Sequence, residues 1–216
     1  MPSKNRLKTN SENSYYHVYN RGVEKRAIFQ DRQDYNVFLK YLGEYLLPKN
    51  EIKLMDLLSD PNTHYSDKDR LLKLIRLNNF SEKIDMLSYC LMPNHFHFFI
   101  KQISLGSMHK FMQSIGTRYT MYFNRKYKRV GFLYQDIYKA AEVKTDEQFV
   151  YLSKYIHKQA IPFQPSSYKE YIGELHSEWV KPGEVLSYFP KTNSFLAYQS
   201  FVEKEDVGPI EQVLIE

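Results

Sequence analysis

Between Tyr89 and Ile100 the chain reads Tyr-Cys-Leu-Met-Pro-Asn-His-Phe-His-Phe-Phe-Ile, and no other run constrains the fold as tightly. Side chains alternate across a β-strand, so residues i and i+2 share a face. Phe96, Phe98 and Ile100 then point into a core, while His95 and His97 stand together on the opposite face. Met92-Pro93-Asn94 has the composition of a tight turn, and a strand-forming run from Ile84 to Leu91 precedes it. Together these predict a β-hairpin. Two neutral imidazoles side by side make half of a divalent metal site. The plain alternative is a pair of half-exposed strand histidines.

The rest of the chain supplies further elements. Tyr15 to Asn20 reads as a first strand, ended by Arg21-Gly22. Asp31 can cap a helix whose apolar stripe is Tyr35, Phe38, Leu39, Leu42 and Leu46, with Pro48 and Asn50 beyond its end. Residues 51–83 are charged and Leu-rich, broken at Ser59 to Asn62, with a short helix expected around Leu71 to Leu77. They read as an insertion. Met108, Met112, Ile115, Tyr119, Tyr122 and Phe123 form a helical stripe. A basic loop, Lys126 to Gly131, leads to a fourth strand near Ile137 to Val143. Thr145-Asp146-Glu147-Gln148 is a capping box, opening a helix that buries Phe149, Leu152 and Ile156 and stops at Pro162.

The order β-α-β-β-α-β-α is α+β, and its first six elements are the ferredoxin-like split βαβ pattern. This predicts a central antiparallel sheet with the first and third strands adjacent, and a C-terminal tyrosine-bearing helix. The inserted segment follows the first helix. Residues 1–162 form one domain, and 163–216 a small C-terminal appendage.

Composition narrows the function. The chain has 216 residues, 43% of them hydrophobic, which is enough for a folded domain with a sizeable core. No apolar run reaches membrane-spanning length, and the basic N-terminus lacks the apolar centre of a signal peptide. A single cysteine, Cys90, excludes an internal disulfide and fits a reducing cytoplasm. The net charge of +5 is moderate, but its distribution is not even. From Met108 to Ala141 the charged residues are Lys110, Arg118, Arg125, Lys126, Lys128, Arg129 and Lys139 against Asp136 alone. Tyrosines and phenylalanines interleave them, Phe132 and Tyr134 in the loop region. Cations for phosphates beside rings for unstacked bases suit single-stranded nucleic acid. Arg118, Arg125, Lys126, Lys128 and Arg129 are the candidate phosphate contacts.

On the last core helix Gln148, Tyr151, Tyr155 and Gln159 recur at helical spacing, with Tyr155 and Gln159 projecting together. If this helix crosses the sheet face that bears the histidines, Tyr155 can reach a metal-bound phosphate. Gln159 could then add an amide oxygen. Oxygen and imidazole donors together suit Mg²⁺ or Mn²⁺. Tyr151, one turn earlier, is the alternative nucleophile.

Met92-Pro93-Asn94-His95-Phe96-His97, followed by Tyr155-Ile156-His157-Lys158-Gln159, resembles the single-tyrosine HUH transposases. These comprise the insertion-sequence-200-like class and the REP-associated tyrosine transposases. Tyr16-His17-Val18-Tyr19-Asn20-Arg21-Gly22, Arg118 to Asn124 and Gly131-Phe132-Leu133-Tyr134-Gln135 resemble further stretches of that family. So do Ser166-Ser167-Tyr168 and Val185-Leu186-Ser187-Tyr188-Phe189, which are similar to the REP-associated tail. Gln159-Ala160 stands where that branch has Asn-Pro and is closer to the insertion-sequence-200 version.

The resemblance implies that His95, His97 and Gln159 hold the metal and that Tyr155 is the nucleophile. The reaction it implies is cleavage and rejoining of single-stranded DNA at hairpin-marked sites, in the cytoplasm on the nucleoid, by a monomer or homodimer. A phenol with a free pKa near 10 needs help at neutral pH. His17 is a candidate base, but the preferred reading is a satisfied core histidine or a second-sphere partner of the histidine pair. Alternatives are a domesticated, non-catalytic DNA-binding protein on the same fold, a nickase of replication-initiator type, and a phosphodiesterase using activated water.

Overall fold

In the computed structural model, residues 11–160 and 163–205 are described; the N-terminal basic segment and Pro162 lie outside them. Four strands form one antiparallel sheet: β1 (Ser14–Arg21), β2 (Ile84–Met92), β3 (His95–Gln102) and β4 (Lys139–Val143), in the order β2-β3-β1-β4. The first and third strands are neighbours at the centre, with Tyr19 opposite His97 and Arg21 opposite His95. This is the split βαβ arrangement, and it makes the protein α+β. The hairpin turn at Pro93-Asn94 is pinned from outside, since Ile28 and Phe29 N–H both donate to Pro93 O. Gly22 meets the same turn through its N–H to Asn94 O, 2.8 Å. A Cβ at Gly22 would run into Arg26 O and the Ile28 side chain, so only glycine lets β1 end this close to the turn.

Each face of the sheet has its own core. One is covered by α1 (Arg32–Leu46) and α4 (Ser107–Lys126), which pack Phe38, Leu42, Phe111, Ile115 and Tyr119 on Val18, Phe96, Phe98 and Ile100. The other is covered by α5 (Asp146–Ala160), whose Phe149, Leu152 and Ile156 meet Leu87, Cys90 and Phe99. The Thr145 hydroxyl accepts from Gln148 N–H, as a capping box requires. The Gln148 side chain, however, reaches back to Lys144 N–H at 2.9 Å, a residue beyond the cap.

Residues 51–83 hold two helices rather than one, α2 (Glu51–Ser59) and α3 (Tyr65–Arg76), separated by a turn at Asp60–Thr63. Their apolar residues face mainly each other, and Ile52 and Met55 remain exposed. A single nine-residue helix with five apolar side chains carries little periodic signal, which is why α2 escapes a sequence reading. The fourth strand begins at Lys139, not Ile137. Asp136 Oδ1 takes the Ile137 N–H and the Ile137 side chain is exposed, so the chain is still turning there.

The residues after α5 contribute to the second core. Tyr171 of α6 (Tyr168–Tyr171), Val185 of α7 (Gly183–Leu186) and Tyr198 and Val202 of α8 (Ser194–Glu203) are buried against α5 and β2. The free edge of β2 is partly covered as well. Leu91 N–H donates to Pro165 O, Ser167 N–H to Tyr89 O, and Lys181 N–H to Met86 O. An edge masked in this way is protected from pairing with another chain.

Asp34 is the main buried charge under α1. Its carboxylate accepts from Gln30 N–H (2.8 Å), Tyr122 and Tyr127 hydroxyls (3.0 and 2.8 Å) and Lys126 Nζ (2.7 Å). Burial works to raise this carboxyl. The Lys126 ammonium, the Gln30 N–H and the tyrosine hydroxyls outweigh it and hold the group below its ordinary 3.8. A depressed carboxyl contributes stability above its unfolded value that is lost as pH falls through the folded one. Asp34→Asn is therefore expected to cost roughly 2–4 kcal/mol at neutral pH. In urea melts the deficit against wild type should shrink below about pH 4.

Candidate active site

Period-two alternation on two adjacent strands builds the site. His17, Tyr19 and Arg21 of β1 share a face with His95 and His97 of β3, and α5 lies over that face. The His97 ring lies 5.0 Å from that of His95, 5.1 Å from His17 and 5.6 Å from Tyr19. Tyr155 stands edge-on above this platform, its ring 5.6 Å from His97 and 6.0 Å from His17. The helix thus places its tyrosine edge-on to His97 and His17.

The histidines are built as neutral donors. His95 Nδ1 lies 2.6 Å from Asn94 Oδ1, and the Asn94 amide nitrogen donates to Lys25 O at 3.2 Å. That second bond orients the amide so that its oxygen faces the ring, and His95 Nδ1–H must donate to it. His95 Nε2 is then a bare lone pair. Burial, followed by the positive charge of Arg21, pushes the His95 pKa down to about 4. For His97, burial acts first and the neighbouring His17, His95 and Arg21 add to it, leaving the ring well below its ordinary value. Both rings are therefore unprotonated at neutral pH, the state a metal ligand needs. Among the described residues no cluster of three or more His, Cys, Asp or Glu is placed to hold a metal. A third protein ligand would have to come from another kind of donor. Gln159, half-buried one turn beyond Tyr155 on α5, is an amide of that kind.

Other candidates are placed elsewhere. Tyr151 packs edge-to-face on Phe201 of α8, 5.1 Å away. Arg118 is tied to Glu44 and stacked 3.7 Å over Tyr41. Lys126 is held by Asp31 and Asp34 at 2.7 Å. Both therefore serve the α1–α4 contact on the far side of the sheet. Arg129 lies over Phe123 and bonds Asn124. Arg125 and Lys128 are exposed. The Tyr134 hydroxyl is buried, whereas Phe132 is 86% exposed; of the two loop rings only Phe132 can meet an incoming base. That loop returns to the active-site end of β1, with Val23 N–H on Leu133 O and Gln135 N–H on Arg21 O.

Sequence reasoning gave no role to Asn94, Tyr19 or Arg21. The signal was present: once β1 is placed beside β3, the alternate residues His17, Tyr19 and Arg21 must line the histidine face.

An α+β sheet carrying two neutral histidines beneath a helix-borne tyrosine is thus the class of protein defined here. Residues 61–159 match the model of the family described as Transposase IS200 like, a span containing His95, His97, Tyr155 and Gln159. Over that span the chain is similar to the IS200-like transposases. Among solved structures, the chain is similar to a REP-associated tyrosine transposase bound to a REP hairpin. The identity is 7%, the TM-score 0.40, and the likeness covers 83% of this chain and 98% of that one. No curated protein gives a significant match. No helix among the described residues is long and apolar enough to cross a membrane.

Proposed function

We propose that this transposase cleaves and rejoins single-stranded DNA at hairpin-marked sites, with Tyr155 as the nucleophile. The observation that carries the reading is the placement of Tyr155 edge-on to His97, whose ring lies 5.0 Å from that of His95. Tyr155 Oη attacks a backbone phosphorus, forming a phosphotyrosine on the 5′ side. The bond from phosphorus to the 3′ oxygen breaks, and that oxygen leaves as a hydroxyl after taking a proton. Attack by a second strand's 3′-hydroxyl reverses the sequence, restoring the phenol and joining the strands. Bond type is conserved throughout, so no external energy source is needed.

His95, His97 and Gln159 are donors of the types that suit a divalent cation such as Mg²⁺ or Mn²⁺, and would hold it. When bound, it supplies charge neutralisation on the phosphate and lowers the barrier to displacement. The chain's own residues do the rest. His95 and His97 are held neutral, β1 fixes their geometry, and α5 holds the phenol above them. Arg125, Lys128 and Arg129 border the loop that returns to this end of the sheet and are suited to backbone phosphates.

The test uses labelled hairpin oligonucleotides taken from the DNA that flanks the gene, with Mn²⁺ or with EDTA. A covalent protein–DNA band on a denaturing gel, present with metal and absent with EDTA, is the expected result. Peptide mapping should place the DNA on Tyr155. Cleavage without a covalent band would instead favour hydrolysis by water, and binding without cleavage a non-catalytic DNA-binding protein.

A further inference from the structure

His17 is fully buried on the central strand, and its Nε2 lies 2.8 Å from His97 Nδ1 with the two rings nearly parallel, 20° apart. One of the two nitrogens must carry the shared proton, and the choice decides which nitrogen of His97 is left as a lone pair. Asn94 already solves this problem for His95 by accepting its Nδ1–H. We propose that His17 does the same for His97: its Nε2 accepts the His97 Nδ1–H, fixing the tautomer whose bare Nε2 faces the cation. His17 is then a positioning residue, acting through His97 and not on the DNA.

Three observations support this division of labour. His17 sits diagonally across the strand pair from His97, with Phe99 and not His97 as its direct partner; the approach therefore puts nitrogen to nitrogen instead of ring face to ring face alone. Its burial removes water as a competing acceptor for the His97 proton. Rings that bind a metal through one nitrogen ordinarily donate the other N–H to a fixed acceptor, and loss of that acceptor costs about 10–100-fold in metal affinity. The groups facing the pair are Tyr19 beside it, Tyr155 above it, and His95 and Arg21 at its open end.

This inference rests on the metal-binding reading of His95 and His97, and the experiment separates the two. Mn²⁺ affinity is measured by calorimetry on the full chain, for wild type, His95→Ala, His17→Leu and His17→Gln. The side-chain ¹⁵N shifts of the wild-type histidines are recorded alongside. Expected are a wild type that binds Mn²⁺, and a His17→Leu variant weakened about 10–100-fold. His17→Gln, whose amide oxygen can replace Nε2 as acceptor, should recover to within about threefold of wild type. His97 should appear as the Nδ1–H tautomer. Unchanged affinity in folded His17→Leu, or a His17→Gln as weak as His17→Leu, would overturn the role of His17 alone. The opposite tautomer at His97 would overturn it even if neither variant folds. Failure of the wild type to bind Mn²⁺ would overturn the metal reading, and the role of His17 with it.

Discussion

Tyr155→Phe should abolish the covalent DNA adduct, lowering strand cleavage on the order of 10³-fold or more, while Tyr151→Phe keeps it. The argument is geometric. The two tyrosines are one turn apart, and on an ideal helix both could project toward the same face. In the fold they diverge: Tyr155 stands over His97 and His17, whereas Tyr151 is engaged by Phe201 of α8. Only the hydroxyl is removed in Tyr155→Phe, so the ring keeps its edge-on packing on the histidines. The variant should melt within about 1 kcal/mol of wild type and bind hairpin oligonucleotides with unchanged affinity. Denaturing gels for the adduct and filter binding for affinity measure the two separately. An adduct that survives Tyr155→Phe and disappears in Tyr151→Phe would reverse the assignment and require α8 to move away from α5.

The hairpin and its two histidines are legible because they rest on a short-range rule: alternation over eight residues fixes which side chains share a face. The partner strand is legible for the same reason, and the element order is enough to bring β1 beside β3. What the sequence cannot show is pairing that depends on three dimensions. Arg118 and Lys126 look like free cations in a basic run because their acids, Glu44 and Asp31 with Asp34, lie 74 to 95 positions away. Charge runs therefore overstate a binding surface wherever another helix supplies counter-ions. Tyr134 and Phe132 read alike in the sequence. They separate only when the loop docks against Gly22 and Val23, burying one hydroxyl and exposing the other ring. The tail is the largest difference of this kind. Proline and serine punctuation made 163–216 look like an addition to a finished domain, yet Tyr171 and Tyr198 fill the core beneath α5.

His157 shows how that tail is fastened, and its replacement is expected to be as damaging as that of Asp34. The ring is fully buried between Tyr198 and Ser167, with Nδ1 2.7 Å from the Tyr198 hydroxyl and Nε2 2.8 Å from Ser167 Oγ. The protons can be assigned in order. Ser153 donates to Val150 O, so Tyr198 must donate to Ser153 Oγ, and His157 Nδ1–H must donate to Tyr198. That leaves Nε2 to accept from the Ser167 hydroxyl, whose oxygen also takes the Tyr89 N–H at 2.9 Å. One neutral imidazole therefore links α5, α8, the Ser167 turn and β2. His157→Leu leaves buried hydroxyls short of partners and should cost roughly 2–4 kcal/mol, a fall of about 4–16 °C in Tm. The pH dependence gives an independent check. Burial pushes the His157 pKa down to about 3, so the unfolded chain takes up a proton that the folded chain refuses. Its contribution is whole above the ordinary value of 6.5 and drains away as pH falls toward 3. Denaturation midpoints between those limits should decline less steeply in His157→Leu than in wild type. His157 bonds the tail side of α5, away from the histidine pair. Adduct formation by the folded variant at low temperature should therefore stay within about threefold of wild type. A folded His157→Leu that formed no adduct would show instead that the tail sets the position of Tyr155 itself.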